Sequence, residues 1–255
     1  MVTIKTKEEI AKLKRGGKIL HDLLHFLAGE VKEGVSTKYL ETLARKRIEE
    51  VGAKPAFLKY TPQGAARPFP AALCVSVNDV VVHGIPNENP IILKNGDIVT
   101  IDTGICYEGL YTDSAISVPV GDVSKTSELL LKATKEALNM AIKVVRDGAT
   151  TGDIGIAIER VAKKYGFSPA EDLGGHGVGY SQHEDPFIPN FKMRGAGVVL
   201  KEGMVLAVEP MLNEGTSRVE FLSDGYTVVT ADGKRSAHFE HTIAVTKNGA
   251  EILTA

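Results

Sequence analysis

Four carboxylates occupy matching positions in two pairs of similar segments. The pairs are LKNGDIVTID (93–102) with LKEGMVLAVE (200–209), and TDSAISV (112–118) with FEHTIAV (239–245). Asp102 and Glu209 each end a run of apolar, β-prone residues, and Asp113 and Glu240 each precede one. A carboxylate at the end of a buried strand is costly unless it is paired, hydrogen-bonded or bound to a metal. If the segments pack about a pseudo-twofold axis, all four converge, and divalent metals relieve their repulsion better than protonation or basic partners.

His176 is a fifth candidate, and it lies outside this symmetry. It stands among glycines in GGHGVG (174–179), which suit close backbone approach and unusual dihedral angles. A lone histidine in a turn is usually structural, but beside four carboxylates an imidazole is a reasonable metal ligand. Oxygen ligands with one nitrogen fit a two-metal site for Mn²⁺, Fe²⁺, Co²⁺ or Zn²⁺ better than a closed structural zinc site. Two metals about 3.5–4 Å apart acidify a bridging water and polarise a carbonyl, so the residues alone predict a binuclear metallohydrolase.

A repeat in the helical segments supplies the two halves that must position these residues. KEGVST (32–37) resembles RDGATT (146–151), and GAKPA (52–56) resembles GFSPA (166–170). Each pair of matches brackets a segment whose apolar residues follow the three-and-four spacing of an amphipathic helix. Another helix precedes each segment, one starting at the capping box Thr6–Glu9 and one covering residues 127–146.

Each half therefore consists of two predicted helices followed by several β segments, over residues 6–120 and 124–250. This order predicts an α+β fold in which the helices pack on a shared, mainly antiparallel sheet. The sequence has no linker-like segment between the halves. Residues 1–255 are therefore expected to form a single catalytic domain.

Composition excludes several classes of protein. The 255 residues are 43% hydrophobic with a net charge of −2, which excludes a disordered chain and gives no field that attracts nucleic acid or an anionic membrane. Cys74 and Cys106 are too few for a disulfide scaffold. Residues 1–20 contain no signal-like apolar segment, and no uncharged run approaches the ~18 residues that span a bilayer. We expect a cytosolic, soluble protein that neither recognises nucleic acid nor enters a membrane.

Seven short motifs follow one another along the chain. They are HGIP (83–86), IDTG (101–104), TDS (112–114), GHG (175–177), HEDP (183–186), VEP (208–210) and FEHT (239–242). Each motif is weak alone, but their order and spacing make the set specific, and from about Thr6 to the C-terminus the chain resembles the bacterial-type (type I) methionine aminopeptidases. The resemblance implies the pita-bread fold, with a curved sheet in two pseudo-symmetric halves. It also implies two divalent metal ions held by Asp102, Asp113, His176, Glu209 and Glu240, of which Asp113 and Glu240 bridge the metals.

The resemblance gives roles to two further histidines. His83 corresponds to the residue that contacts the scissile amide nitrogen or stabilises its developing charge, and His183 to the residue that hydrogen-bonds and polarises the substrate carbonyl. A metal-bridging water or hydroxide would attack that carbonyl, and Glu209 would pass a proton to the leaving amine. In isolation, His83 would only fix its turn and His183 would only cap a loop before Pro186. The implied activity is removal of the initiator methionine when the second residue is small.

The side chain of that methionine would occupy an apolar pocket. The resemblance assigns the pocket to Tyr60, Cys74 and Tyr226, with Phe57 as a neighbour. Two of the positions depart from the common bacterial pattern: Tyr226 stands where many members have tryptophan, and Gln182 stands where many have an aromatic residue and would add a polar wall. The loop Thr61–Pro70 is also longer. These departures leave the chemistry intact and bear on side-chain selectivity.

Further ligands and partners follow from the same resemblance. Asn78, Val80 and Ser236 match positions that bind a monovalent cation, Na⁺ or K⁺, although ordinary turn hydrogen bonds explain these residues nearly as well. The implied substrates are nascent polypeptide N-termini and short peptides beginning with Met. Contact with the ribosome fits this role, but no surface cluster in the sequence identifies it. The family is usually monomeric, so a monomer is expected.

Two other functions stay open at this point. A proline-specific exopeptidase of the aminopeptidase P or prolidase group shares the fold, but such enzymes usually carry an additional N-terminal domain and lack the combination of HGIP and FEHT. A non-catalytic binding relative would typically lose metal ligands, and all five are present here.

Two side-chain patterns imitate other chemistry. His21 and His25 resemble a zincin helix but have Asp22 where the glutamate belongs, and we interpret them as flanking a core stripe. Cys74, near His83 in sequence, imitates a cysteine nucleophile and is better interpreted as lining a pocket.

Overall fold

Four amphipathic helices begin at capping residues. The computed structural model describes residues 2–62 and 64–255. Its helices are α1 (Lys7–Glu30), α2 (Thr37–Glu50), α3 (Lys125–Val144) and α4 (Thr151–Tyr165). Thr6 and Glu9 form the predicted capping box of α1, and Thr150 and Asp153 form an equivalent box at α4. Ser124 caps α3, which lies two residues earlier at each end than the predicted range of 127–146. Within the described residues, no helix has the length and apolar character to cross a membrane.

The described part of the chain also contains fifteen strands. In chain order they are β1 (Lys54–Pro55), β2 (Cys74–Val77), β3 (Val80–Val82), β4 (Ile98–Tyr107), β5 (Leu110–Pro119), β6 (Ser168–Pro169), β7 (Gly174–Gly177), β8 (Glu184–Pro189), β9 (Val205–Val208), β10 (Met211–Asn213), β11 (Val219–Phe221), β12 (Val228–Thr230), β13 (Ser236–His238), β14 (Glu240–Thr246) and β15 (Gly249–Ile252). The large sheet has the order β1-β4-β5-β14-β9-β7-β8, with β2 also paired to β4 and β15 to β14. Two smaller sheets have the orders β13-β10-β6 and β11-β12-β3.

Every pairing within these sheets is antiparallel. The two halves of the sequence meet where β5 pairs with β14. Helices α1 and α2 pack on the first half in an apolar cluster that includes Leu20 and Ile101, and α3 and α4 pack on the second half in a cluster that includes Leu130 and Ile243. The predicted α+β fold, with helices on a shared antiparallel sheet, is therefore confirmed.

Side chains of the central strands point alternately to the two faces of the sheet, so the helices and the carboxylates lie on opposite faces. Ile101 and Ile105 of β4 and Ile243 of β14 belong to the helix-facing clusters. Successive side chains of a strand point to opposite faces, so Asp102 and Glu240 lie on the face away from the helices. One face of the sheet thus builds the core and the other carries the polar residues.

Two of the four carboxylates lie inside strands rather than at strand ends. Glu209 follows the last residue of β9 and Glu240 is the first residue of β14, as the sequence predicts. Asp102 lies within β4 and Asp113 within β5, so the expected strand-end position was wrong for both. The reason is that β4 and β5 pair with each other along all ten residues of each strand, and this ladder continues past both carboxylates.

Candidate metal centre

Strand register explains how distant residues reach one face of the large sheet. Cys74, Asp102, Ala115 and Glu240 are direct neighbours across β2, β4, β5 and β14. Directly opposed residues in a ladder point to the same side. Asp113 lies two residues before Ala115 on β5 and shares that side.

A second row adds the remaining two ligands. His176, Ala207 and Thr242 are direct neighbours across β7, β9 and β14. Thr242 lies two residues after Glu240, and Glu209 lies two residues after Ala207, so both rows face the same way. The five residues predicted from sequence to hold metals therefore meet on one face.

Interatomic distances show that four of these side chains converge. His176 Nε2 lies 3.5 Å from Glu209 Oε1 and 3.9 Å from Asp113 Oδ2. One ligand atom from each of Asp113, His176 and Glu240 lies within 4.8 Å of the others. His176 Nδ1 is 2.9 Å from the carbonyl oxygen of Gly177, which leaves Nε2 to face the carboxylates.

The donor set fits divalent metal ions. Asp102 Oδ1 and Glu240 Oε1 are buried and have no hydrogen-bond partner among the described residues. Unsatisfied carboxylate oxygens are costly in a protein interior, and oxygen-rich sites with one imidazole suit divalent first-row metals. Bound cations thus explain together the unpartnered oxygens, the converging carboxylates and the orientation of His176 Nε2 toward them.

Burial and mutual repulsion shift the protonation of this cluster. Burial raises the pKa of Asp113 to about 7, although hydrogen bonds from Ser114 and Gln182 oppose the rise. The pKa values of Asp102, Glu209 and Glu240 lie well above their usual range, first because of burial and then because of neighbouring negative charges. Burial lowers the pKa of His176 to about 4. The metal-free site therefore favours protonated carboxyls and a neutral imidazole.

Two further histidines border the cavity that the five candidate ligands line. His83 follows β3 with a φ of 59°, a left-handed conformation that is strained for a non-glycine residue, and burial lowers its pKa. The ring of His183 lies 4.4 Å from that of His176, between centroids, and its Nδ1 is 2.8 Å from the hydroxyl of Tyr60. The structure thus brings both predicted catalytic histidines to the five ligands.

The cavity beside the ligands has a volume of about 350 Å³ and an aromatic wall. Phe57, Tyr60, Cys74 and Tyr226 all line it, as the sequence predicts for the substrate pocket. Phe69 also lines it and was missed, although it packs edge-to-face against Tyr226 with ring centroids 5.1 Å apart. The signal in the sequence is an aromatic residue at the end of the long loop, directly before the apolar segment that leads into β2.

Residues 11–247 match metallopeptidase family M24, and this match covers most of the chain. The chain belongs to metallopeptidase family M24. It is 48% identical to the methionine aminopeptidase of Aquifex aeolicus over 256 aligned residues, which cover 99% of this chain and 98% of that protein. The resemblance read from the seven motifs is therefore confirmed.

Solved structures of M24 proteins share the fold. The structure of methionine aminopeptidase from Rickettsia prowazekii superposes with a TM-score of 0.94 at 42% identity and covers 100% of both chains. This match confirms the pita-bread fold. Prolidase from Pyrococcus furiosus matches with a TM-score of 0.76 at 24% identity, covering 99% of this chain and 65% of that one. That second likeness shows the common fold alone.

Gln182 was predicted to add a polar wall to the substrate pocket, but its side chain contacts Asp113 instead. Its side chain is buried, and Nε2 donates a hydrogen bond to Asp113 Oδ2, while Oε1 has no partner among the described residues. The residue therefore lies behind a candidate metal ligand and is absent from the residues that line the cavity. A direct contact between Gln182 and substrate stays a prediction.

His238, which lies near the candidate metal ligands, is a second residue that was not predicted from the sequence. It is 1% exposed, and its Nε2 lies 3.6 Å from Glu209 Oε2 and 3.9 Å from Glu240 Oε2. Burial lowers its pKa to about 3, so the ring is neutral. Its position two residues before Glu240 was the available signal, because alternate residues of an extended segment share a side.

The predicted monovalent-cation residues of the M24 chain lie close together. The backbone N–H of Ser236 donates to the carbonyl of Asn78 at 2.8 Å, and Asn78 Oδ1 accepts from the N–H of Ile98 at 3.1 Å. Val80 begins β3, directly after this turn. These turn hydrogen bonds engage the oxygens of Asn78, and cation binding stays a prediction.

The imitating patterns have structural roles. The rings of His21 and His25 contact each other in a tilted arrangement with centroids 4.1 Å apart, and His21 Nδ1 lies 3.3 Å from the carbonyl oxygen of Thr254. Cys74 is 3% exposed, and burial raises the pKa of its thiol well above the usual range. A protonated thiol is a weak nucleophile, which agrees with the pocket-lining interpretation.

Proposed function

We propose that this protein is a metal-dependent aminopeptidase that removes the initiator methionine from nascent proteins and peptides whose second residue is small. The observation that supports this function is one cavity that is bordered both by the five candidate metal ligands and by an aromatic wall. The relatives named methionine aminopeptidase match along nearly the whole chain, which favours this activity over that of the more distant prolidases.

Asp102, Asp113, His176, Glu209 and Glu240 would hold two divalent metal ions. When bound, these ions would supply an acidified water and a Lewis acid for the substrate carbonyl at neutral pH. The choice among Co²⁺, Mn²⁺, Fe²⁺ and Zn²⁺ depends on availability in the cell, since all of them suit this ligand set.

His183 is suited to polarise the substrate carbonyl. Burial, with the nearby His176 and His83, lowers the pKa of His183 to about 3, so its ring is neutral. If the Tyr60 hydroxyl donates to Nδ1 across their 2.8 Å contact, the ring proton resides on Nε2. That N–H would donate to the carbonyl oxygen, and the bond strengthens as negative charge develops there.

Glu209 is suited to move a proton to the leaving amine. Burial and the charges of Asp113 and Asp102 raise its pKa, so this carboxyl holds a proton more readily than an ordinary glutamate, as general acid–base work requires. His83 borders the same cavity and would contact the amide nitrogen.

The aromatic pocket is suited to the side chain of methionine. A flexible, unbranched thioether fills irregular apolar space and makes favourable contacts with aromatic rings. Phe57, Phe69 and Tyr226 supply such rings, and the protonated thiol of Cys74 adds a small apolar surface. A branched or charged side chain would fit this wall less well.

The protein would act as a single-domain monomer in the cytoplasm, where nascent chains carry their initiator methionine. Such substrates would bring it to the ribosome. Na⁺ or K⁺ at Asn78, Val80 and Ser236 would brace the turn that precedes β3.

The test is release of free methionine from Met-Ala-Ser by metal-stripped protein reconstituted with Co²⁺ or Mn²⁺. Leu-Ala-Ser and Ala-Pro-Ala serve as competing substrates, and Asp113→Ala serves as the control that lacks a metal ligand. We expect metal-dependent cleavage of the Met peptide alone. Cleavage of Ala-Pro-Ala instead would assign a proline-specific exopeptidase, and cleavage of none despite bound metal would favour a binding protein.

A further inference from the structure

Glu184 has no role in the chemistry described above, although it follows His183 and borders the cavity. Its side chain is 5% exposed. One carboxylate oxygen, Oε1, accepts the backbone N–H groups of Tyr180 at 2.5 Å and Ser181 at 3.1 Å. Glu184 therefore closes the turn that runs from the end of β7 to His183.

The other oxygen of Glu184 is held by the N-terminal segment. Oε2 accepts from Thr3 Oγ1 at 2.5 Å and from Lys5 Nζ at 2.7 Å, and Lys5 Nζ also donates to Thr3 Oγ1. Burial alone would raise the pKa of Glu184, but the hydrogen bonds from Lys5 and Thr3 outweigh it and the pKa is lowered. The Glu184 carboxylate is therefore ionised at neutral pH. Burial lowers the pKa of Lys5, and the hydrogen bond and charge of Glu184 oppose that shift.

Lys5 reaches this carboxylate through space that only a glycine leaves open. A Cβ on Gly179 would lie 2.4 Å from Lys5 Cε, and Gly179 has a φ of 142°. The backbone N–H of Lys5 donates to the carbonyl of Gly203 at 2.8 Å, and Val2 forms a bridge with Asp185. The N-terminal segment is thus fixed on both sides of the turn.

A buried ion pair adds little net stability, because the cost of removing both charges from water offsets their attraction. Its effect here is geometric. The turn that Glu184 closes carries Gln182, which contacts Asp113, and His183, which contacts Tyr60 and packs edge-to-face against His176. Displacing the turn would displace both side chains.

We propose that Glu184, held by Lys5 and Thr3, is a positioning residue that fixes His183 against the metal centre, and that residues 2–5 are thereby part of the active-site architecture. The inference rests on the proposed function, since it assigns His183 to the substrate carbonyl. It adds to that function a residue that acts only through another.

A double-mutant cycle tests this dependence. Glu184→Gln keeps the shape of the side chain but removes the charge, and we expect kcat on Met-Ala-Ser to fall about 10- to 100-fold with KM changed less than about 3-fold, as for a misplaced transition-state donor. In a His183→Ala background the same substitution should change kcat less than about 2-fold. Equal losses in both backgrounds would overturn the proposal.

A second readout does not depend on activity. In metal-loaded Glu184→Gln, the amides of Tyr180 and Ser181 should exchange with solvent at least about tenfold faster than in the wild type, because they lose their acceptor's charge. Glu251→Gln is the matched control: Glu251 pairs with Lys14 at 2.6 Å on the exposed surface and should leave exchange and kcat unchanged.

These measurements separate the two proposals. Wild-type protein that binds metal but releases no methionine would contradict the proposed function, while the exchange result would still report on the turn. Unchanged exchange in Glu184→Gln would overturn the positioning role whatever the activity. If Glu184→Gln fails to fold, Thr3→Val removes one donor to Oε2 and should give smaller changes in the same direction, and no change would overturn the role.

Discussion

At the scale of single residues, the centre gathers groups that repel one another. Asp102, Asp113, Glu209 and Glu240 are all buried or nearly so. Burial raises all four pKa values, and neighbouring carboxylates raise those of Asp102, Glu209 and Glu240 further. Without metal, the folded protein can relieve this repulsion only by holding protons. The site is therefore a source of instability that bound cations would remove.

Replacing one of these carboxylates should stabilise the metal-free protein. Asp102→Asn removes a charge whose Oδ1 has no hydrogen-bond partner among the described residues. At pH 8.5 we expect the Tm of the metal-free variant to exceed that of the metal-free wild type, by about 2–4 °C for each kcal/mol of repulsion removed. Thermal unfolding in chelator measures this, with Mn²⁺-loaded samples as the comparison, where the wild type should be the more stable. A lower Tm in chelator would contradict the account.

Gln182 should matter for metal binding more than for the fold. Gln182→Leu removes the donor to Asp113 Oδ2 and places an apolar side chain in this buried position. Loss of such a partner behind a ligand typically weakens metal affinity about 10- to 100-fold. Calorimetric titration with Mn²⁺ measures the change, and an affinity equal to that of the wild type would show that the hydrogen bond does not support the ligand.

At the scale of elements, strand register brings residues that are far apart in the sequence to one face of the sheet. Five candidate ligands from β4, β5, β7, β14 and the end of β9 share a face because their strands pair in two registered rows. One of the five, His176, comes from β7, and the close approach of β7 to β9 depends on a glycine. A Cβ on Gly175 would lie 2.2 Å from the carbonyl oxygen of Ala207.

Gly175→Ala should therefore move β7 away from β9 and carry His176 out of the site. We expect loss of Mn²⁺ binding and a lower Tm. Gly29→Ala is the matched control, because a Cβ at this position in the last turns of α1 meets no atom within 4 Å. That change should leave metal binding intact and stabilise the protein by at most about 1 kcal/mol. Normal metal binding by Gly175→Ala would refute the packing argument.

Local signals in the sequence predicted the elements well. Thr6 and Glu9 cap α1 as their types require, the repeat located both helix pairs and the four carboxylates, and the glycine-rich segment 174–179 located His176. These features depend on neighbouring residues or on internal similarity, and both are visible in one chain.

Features that depend on tertiary packing were harder to predict. The ladder between β4 and β5 determines that Asp102 lies mid-strand, and no local signal specifies how far that ladder extends. Phe69 and His238 reach the site through chain segments whose direction is fixed by their surroundings. Gln182 points to Asp113 because its turn is closed by Glu184, which a motif cannot show.

At the scale of the whole molecule, the titration of the centre should set how stability varies with pH. The folded carboxyls have raised pKa values, about 7 for Asp113, whereas the unfolded chain releases these protons near pH 4. Above pH 7.5 the folded metal-free protein gives up the remaining protons of Asp113 and those of Asp102, Glu209 and Glu240, whose pKa values lie well above their usual range. The unfolded chain has already lost these protons, so stability falls as pH rises. Folded His176, His183, His238 and His241, with pKa values lowered to about 4, 3, 3 and 4, are neutral in this range, and an unfolded histidine is roughly nine-tenths neutral at pH 7.5, so the histidines add little.

Thermal unfolding across pH 7.5–9 measures this trend. The Tm should fall with pH in chelator, and the fall should disappear with saturating Mn²⁺, because cations would hold the carboxylates ionised. A metal-free Tm that rises with pH would contradict the assigned direction of the pKa shifts.

The central claim is that two pseudo-symmetric halves converge on a two-metal centre, and anomalous diffraction from Mn²⁺-loaded crystals tests it most directly. The account predicts two peaks about 3.5–4 Å apart, both in contact with Asp113 and Glu240, with His176 at one of them. Absence of any peak at these carboxylates, or a peak held by other residues alone, would contradict it.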